Sequence, residues 1–135
     1  MSDAITHWLE AFVRAHGAVA GTVHRRADDE LHLVAAHNIP PEVQRVTAVV
    51  PRGKGMAGLA LERDRPVSTC NLQTDTSGDV RPGARAVGAQ AAVALPVHDD
   101  AGRVRAVVGI AFLGERELDD AALAALASAA AALPS

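Results

Sequence analysis

The chain has 135 residues and a mass of 13.9 kDa, room for one ordinary domain over residues 1–135. Apolar residues make up 49% and charged residues 21%, a balance that excludes a disordered chain. Lys+Arg number 13 against 16 Asp+Glu, with no basic run and no basic-aromatic cluster, so no nucleic-acid partner is expected.

Ser2 or Asp3 can cap an opening helix, and Ile5, Trp8, Leu9, Phe12 and Val13 then recur at helical spacing until Gly17. The alternation in Ala18–Arg25 and in Leu31–His37, around the acidic turn Ala27–Glu30, predicts a hairpin. Pro41–Arg45 is expected to make one helical turn. Val46–Val50 is expected as a short third strand ended by Pro51. Gly53-Lys54-Gly55 then turns the chain into a helix from Met56 to Arg63, and Pro66–Cys70 reads as a short fourth strand. Asn71–Gly88 is polar and broken by Gly78, Pro82 and Gly83, a loop length that usually accompanies function.

Two long strands follow, Ala91–His98 and Arg103–Leu113, joined by the turn Asp99–Gly102. The second is apolar on both parities, so both of its faces must be covered. Asp119-Asp120 begins a last helix in which Leu123, Leu126, Ala130 and Leu133 form a narrow seam among alanines. Aromatics are only Trp8, Phe12 and Phe112, so Ala and Val must fill the core and backbones must approach closely.

Gly53, Gly55 and Gly58 spell G-x-G-x-x-G between a strand and a helix, the pattern of a dinucleotide-binding turn. The context argues for a packing turn instead. Pro51 interrupts the preceding strand, the next strand is short and polar, and the remainder is an antiparallel hairpin and a helix rather than further βαβ units.

The stretch Val50–Val67, with its Gly-x-Gly turn, helix and following strand, resembles the central signature of GAF domains. Ala94-Leu95-Pro96-Val97, then Gly102, then Ala106–Ala111 resemble that family's closing hairpin, and Glu117–Leu133 its terminal helix. The resemblance implies an α+β fold. An antiparallel sheet of five or six strands carries the N- and C-terminal helices paired on one face, with short helices and loops over a small-molecule pocket on the other. It also implies a sensory or regulatory binding module without catalytic residues or cofactor.

The pocket side chains expected on that basis are Cys70, Gln73, Asp75, Arg81, Arg85 and Gln90. An Arg pair can fork a carboxylate or phosphate of a small polar metabolite while Asp75 accepts from an amine. Ligand would order the loop and shift the terminal helices. The alanine-rich seam beside the Trp-bearing first helix leads us to expect a homodimer.

Cys70 is the only cysteine, which excludes an internal disulfide and a cysteine zinc site and suits a reducing compartment. One branch of the family, the free methionine-R-sulfoxide reductases, works through cysteine thiolates. Ala57 and Arg85 stand where that branch carries others, so a reductase built on Cys70 would need an outside thiol. A ligand-free interaction domain is the third reading. The six histidines are scattered, read as solvent-face strand residues, and make no metal site. No stretch approaches the ~20 apolar residues of a membrane span. The N-terminus has no basic region before its apolar residues, so a cytoplasmic chain is expected.

Overall fold

The computed structural model describes residues 3–69, 91–114 and 118–135. Its order is α1 (Asp3–Ala15), β1 (Ala20–Ala27), β2 (Glu30–His37), α2 (Pro41–Val46), β3 (Val49–Pro51), α3 (Gly55–Arg63), β4 (Val67–Thr69), β5 (Ala91–His98), β6 (Val104–Phe112) and α4 (Asp120–Ala130). The six strands form one sheet, ordered β3-β2-β1-β6-β5-β4, in which every adjacent pair is antiparallel.

One face of the sheet carries the terminal helices. Their apolar stripes are Ile5, Leu9, Phe12 and Val13 on α1, and Leu126, Ala130 and, just beyond it, Leu133 on α4. They join Val23, Val93, Leu95, Val108, Ile110 and Phe112 in one core cluster. Gly21 admits α1 to the sheet, since a Cβ there would stand 2.8 Å from a Val13 methyl. Along α1, the rings of Trp8 and Phe12 stack at 4.8 Å.

The other face carries α3. Ala60 and Leu61 bury against Leu31, Val50, Val67, Ala94, Val104 and Val107 in a second cluster. The central strand β6 is thus covered on both sides, as its unbroken apolar pattern requires.

Several boundaries differ from the sequence expectation, most of them by a residue or two. The helical turn at Pro41 runs to Val46 because Thr47 closes it, with both its N–H and its Oγ1 donating to the Val43 carbonyl at 2.9 and 2.8 Å. The third strand therefore starts at Val49 and includes Pro51, which an edge strand tolerates. The first strand begins at Ala20 rather than Ala18 and runs to Ala27, so the hairpin turn is tighter than Ala27–Glu30.

The glycine turn is a packing device. Gly53 and Gly55 hold φ of +83° and +64°, and Gly58 lies where a Cβ would meet the Pro51 carbonyl oxygen at 2.4 Å. At the far end of the chain, the Asp119 carboxylate accepts from the Ala122 N–H at 2.8 Å and caps α4. Arg105 of β6 donates to the carbonyls of Leu133 and Pro134 at 2.6 and 3.3 Å, which fastens the tail.

Candidate functional site

Between the sheet and the pair α2–α3 lies a cavity of about 160 Å3. Its floor follows from the register. Ala20, Ala111 and Ala92 are cross-strand neighbours on β1, β6 and β5, and Thr22, Gly109 and Ala94 form the next row. These six small residues all line the cavity. On the opposite face the same strands carry Val23, Val108, Ile110, Val93 and Leu95. One face fills itself with large side chains, and on the other a hollow lies over these two rows, beside the α3 cluster.

The walls are apolar. Ile39, Val43 and Val46 close one side, Val50 another, and Met56 and Ala57 at the start of α3 a third. Lys54, the only lysine, is exposed at the rim. It occupies the N-cap position of α3, and among the described residues no side chain caps that helix start.

The next row along the sheet is His24 with Val107, and it ends the floor. His24 lines the cavity and is only 3% exposed. Its Nε2 lies 2.8 Å from the Thr47 carbonyl oxygen, the residue that closes α2. Its Nδ1 is buried with no hydrogen-bond partner among the described residues. Burial lowers its pKa below the ordinary 6.5, the Thr47 bond acts the other way, and nearby His32 lowers it further. A carbonyl can only accept, so in the neutral ring the proton sits on Nε2 and Nδ1 carries a free lone pair.

The six expected pocket residues, Cys70, Gln73, Asp75, Arg81, Arg85 and Gln90, lie outside the described residues, as does the loop Asn71–Gly88. On either side of that segment, Thr69 of β4 and Ala92 of β5 are ladder partners, and Ala92 belongs to the cavity floor. His24 corrects the solvent-face reading of the histidines. A bulge between Val23 and His24 shifts the β1–β2 register, and His24 lies under Thr47, while His32 and His98 are exposed. The signal for the floor was in the sequence: Ala92, Ala94, Gly109 and Ala111 are the small parity of two strands whose other parity is large.

Among the described residues no group of three or more His, Cys, Asp or Glu is arranged to hold a metal ion. None of their helices is long and apolar enough to cross a membrane. The seam residues Leu126, Ala130 and Leu133 bury within the chain's own core, with Leu123 partly buried beside them.

The free methionine-R-sulfoxide reductase of Neisseria meningitidis, solved with its substrate, superposes with a TM-score of 0.75 at 16% identity. The match covers 95% of this chain and 74% of that one. The GAF domain of an Acinetobacter phosphoenolpyruvate-protein phosphotransferase gives 0.67 at 15% identity, over 98% and 92% of the two chains. A GAF domain/HD domain protein of Geobacter sulfurreducens gives 0.73 at 11%, over 96% and 86%. Identities this low carry the fold alone. No curated protein matches the chain in sequence. The family model of the GAF domain matches residues 1–133, essentially the whole length, and the chain belongs to the GAF domain family.

Proposed function

We propose that the chain is a small-molecule-binding regulatory module of the cytoplasm, without chemistry of its own, whose ligand lies on the two rows of small residues. The observation that carries this reading is the hollow itself. Six neighbouring floor positions on three strands are Ala, Gly or Thr, while the opposite face of the same strands is filled. A cavity of about 160 Å3 has space for on the order of ten water-sized atoms. Apolar walls with a few polar points are the usual make-up of a ligand site. The polar residues of the described lining are Thr22, His24, Thr47 and Lys54, the last at the start of α3, where an acceptor or anionic end of the ligand is favoured.

The floor strands β1, β5 and β6 carry α1 and α4 on their other face. A ligand that bridges the floor to α2 and α3 acts on the same strands that seat the terminal helices, which is a route from occupancy to an outer surface. Pairing of copies belongs to this reading. The contact would use the exposed outer face of α4, Ala121, Ala124, Ala125 and Ser128, since the leucine seam is spent inside. Light scattering at micromolar concentration tests that part, with a particle of twice 13.9 kDa expected and a particle of 13.9 kDa against it.

The main test is a thermal-shift screen of compact metabolites. A compound that raises the melting temperature in proportion to the logarithm of its concentration is expected. A screen without any such compound counts against the module. A reductase is the separate reading, because several structural neighbours are free methionine-R-sulfoxide reductases by name. Turnover of free methionine sulfoxide that survives Cys70→Ala unchanged removes Cys70 from it.

A further inference from the structure

We propose that the Thr22 hydroxyl is the polar anchor of the cavity floor, and that the cavity takes a compact, apolar-bodied molecule with one neutral oxygen that accepts from it. The inference rests on the cavity reading above and adds the chemical class of the occupant and the atom that meets it.

The anchor follows from the polar side chains of the lining, which among the described residues are Thr22, His24, Thr47 and Lys54. Three of them are spent or remote. His24 is held to the Thr47 carbonyl through Nε2, and its Nδ1 is sealed from solvent. Thr47 donates its hydroxyl to the Val43 carbonyl at 2.8 Å. Lys54 is exposed at the rim. Thr22, by contrast, is half-buried in the second row of the floor, between Ala36 and Gly109 on the neighbouring strands. Its hydroxyl has no hydrogen-bond partner among the described residues. His24 Nδ1 is the one side-chain polar atom among those residues that is both sealed and unpartnered. The Thr22 oxygen, unpartnered as well, is therefore open to the space above the floor.

Gly109 fixes where that oxygen lies. A Cβ built on Gly109 would stand 3.0 Å from Thr22 Oγ1 and 3.9 Å from the Val93 carbonyl oxygen, and beyond its chain neighbours no other atom of the described residues would be within 4 Å. Gly109 shares the cavity side of β6 with Ala111, while Val108 and Ile110 turn to the terminal helices. The hydroxyl thus leans over the bare Cα of Gly109, into the gap that the missing side chain leaves in the floor.

A hydroxyl has one proton and two lone pairs, and an unused donor is rarer in folded proteins than an unused acceptor. The matching group is a carbonyl or hydroxyl oxygen. It is a neutral one, since an ionised group on the floor would lie among alanines with Lys54 out at the rim. The rest of the molecule lies on Ala20, Ala92, Ala94 and Ala111 and is apolar.

The test uses the full chain and two probes of matched shape, cyclohexanone, which carries an oxygen acceptor, and methylenecyclohexane, in which a CH2 group replaces it. Alanine-methyl NMR titrations follow both probes in the unaltered protein and in Thr22→Val, which keeps the branched shape and loses the hydroxyl. Thr22→Val should weaken cyclohexanone about fivefold and leave methylenecyclohexane unchanged or tighter. Thr22→Ser should restore cyclohexanone. Gly109→Ala, which sets a methyl group against the hydroxyl, should weaken cyclohexanone more than methylenecyclohexane, and it decides if Thr22→Val does not fold. No selective loss, whether both probes hold or both weaken alike, keeps the cavity and overturns the role of Thr22. Binding of methylenecyclohexane alone to the unaltered protein does the same. Binding of neither probe overturns this inference, while the cavity reading is judged by its own screen.

Discussion

Gly58 sets its bare Cα against the backbone of Pro51, where a Cβ would stand 2.4 Å from the carbonyl oxygen. Pro51 lies on the edge strand β3 and Gly58 inside α3, so this contact sets how closely the helix approaches the sheet. It also decides what the G-x-G-x-x-G motif is for. A glycine in a helix ordinarily gains about 1 kcal/mol when replaced by alanine. Gly58→Ala should instead lose about 1–3 kcal/mol, because a backbone oxygen cannot rotate away. Urea denaturation checks this, and an unchanged or higher midpoint would show that the approach is looser than described.

His24 makes stability depend on pH in a defined direction. Its folded pKa lies below the unfolded value of about 6.5, chiefly through burial. Between the two pKa values the unfolded chain binds the proton and the folded chain does not. The contribution is complete above pH 6.5 and is lost as pH falls through 6.5 toward the folded value, with a slope of at most about 1.4 kcal/mol per pH unit. His24→Gln, which keeps a donor for Thr47 and cannot titrate, should flatten that part of the curve. Denaturation midpoints from pH 5 to 8 measure it, and equal slopes for the two proteins would contradict the assignment.

The floor should accept a larger side chain. Ala111 stands between Ala20 and Ala92 in the outer row and lines the cavity. Ala111→Leu places apolar atoms in the hollow and should raise stability by about 1–2 kcal/mol. The same variant should lose binding of any compound that stabilises the unaltered chain. A lower melting temperature would mean that the space is already filled.

The last helix depends on its cap. Asp119 accepts from the Ala122 N–H at 2.8 Å, and the helix behind it offers mostly alanine. Asp119→Ala should cost about 1 kcal/mol and Asp119→Asn much less. Calorimetric melting of the two variants separates lost capping from lost charge.

Much of the architecture was legible because its signals are local or periodic. The hairpin of β5 and β6, the capped last helix and the glycine turn into α3 each follow from patterning within one continuous stretch of chain. The two covered faces of β6 follow from apolar residues on both parities. What was not legible depends on register. Ala20, Ala111 and Ala92 are far apart in sequence and become a floor only once β1, β6 and β5 are aligned. His24 looks like any alternate residue of a hairpin strand. Its burial comes from α2, which ends at Val46 with Thr47 over the ring, and from the bulge after Val23. The charged residues of the segment after β4 invited a polar site. The described floor and walls are mainly aliphatic, with Thr22, His24, Thr47 and Lys54 as exceptions.

The most direct test of the hollow face is alanine-methyl NMR of the full chain during a screen of compact compounds. The account predicts a compound that shifts the methyl signals of Ala20, Ala92, Ala94 and Ala111 together while leaving Ala35 and Ala106, which pack under α1 and α4, in place. A full screen that moves none of the four, or compounds that act only on the helix-covered face, would contradict it.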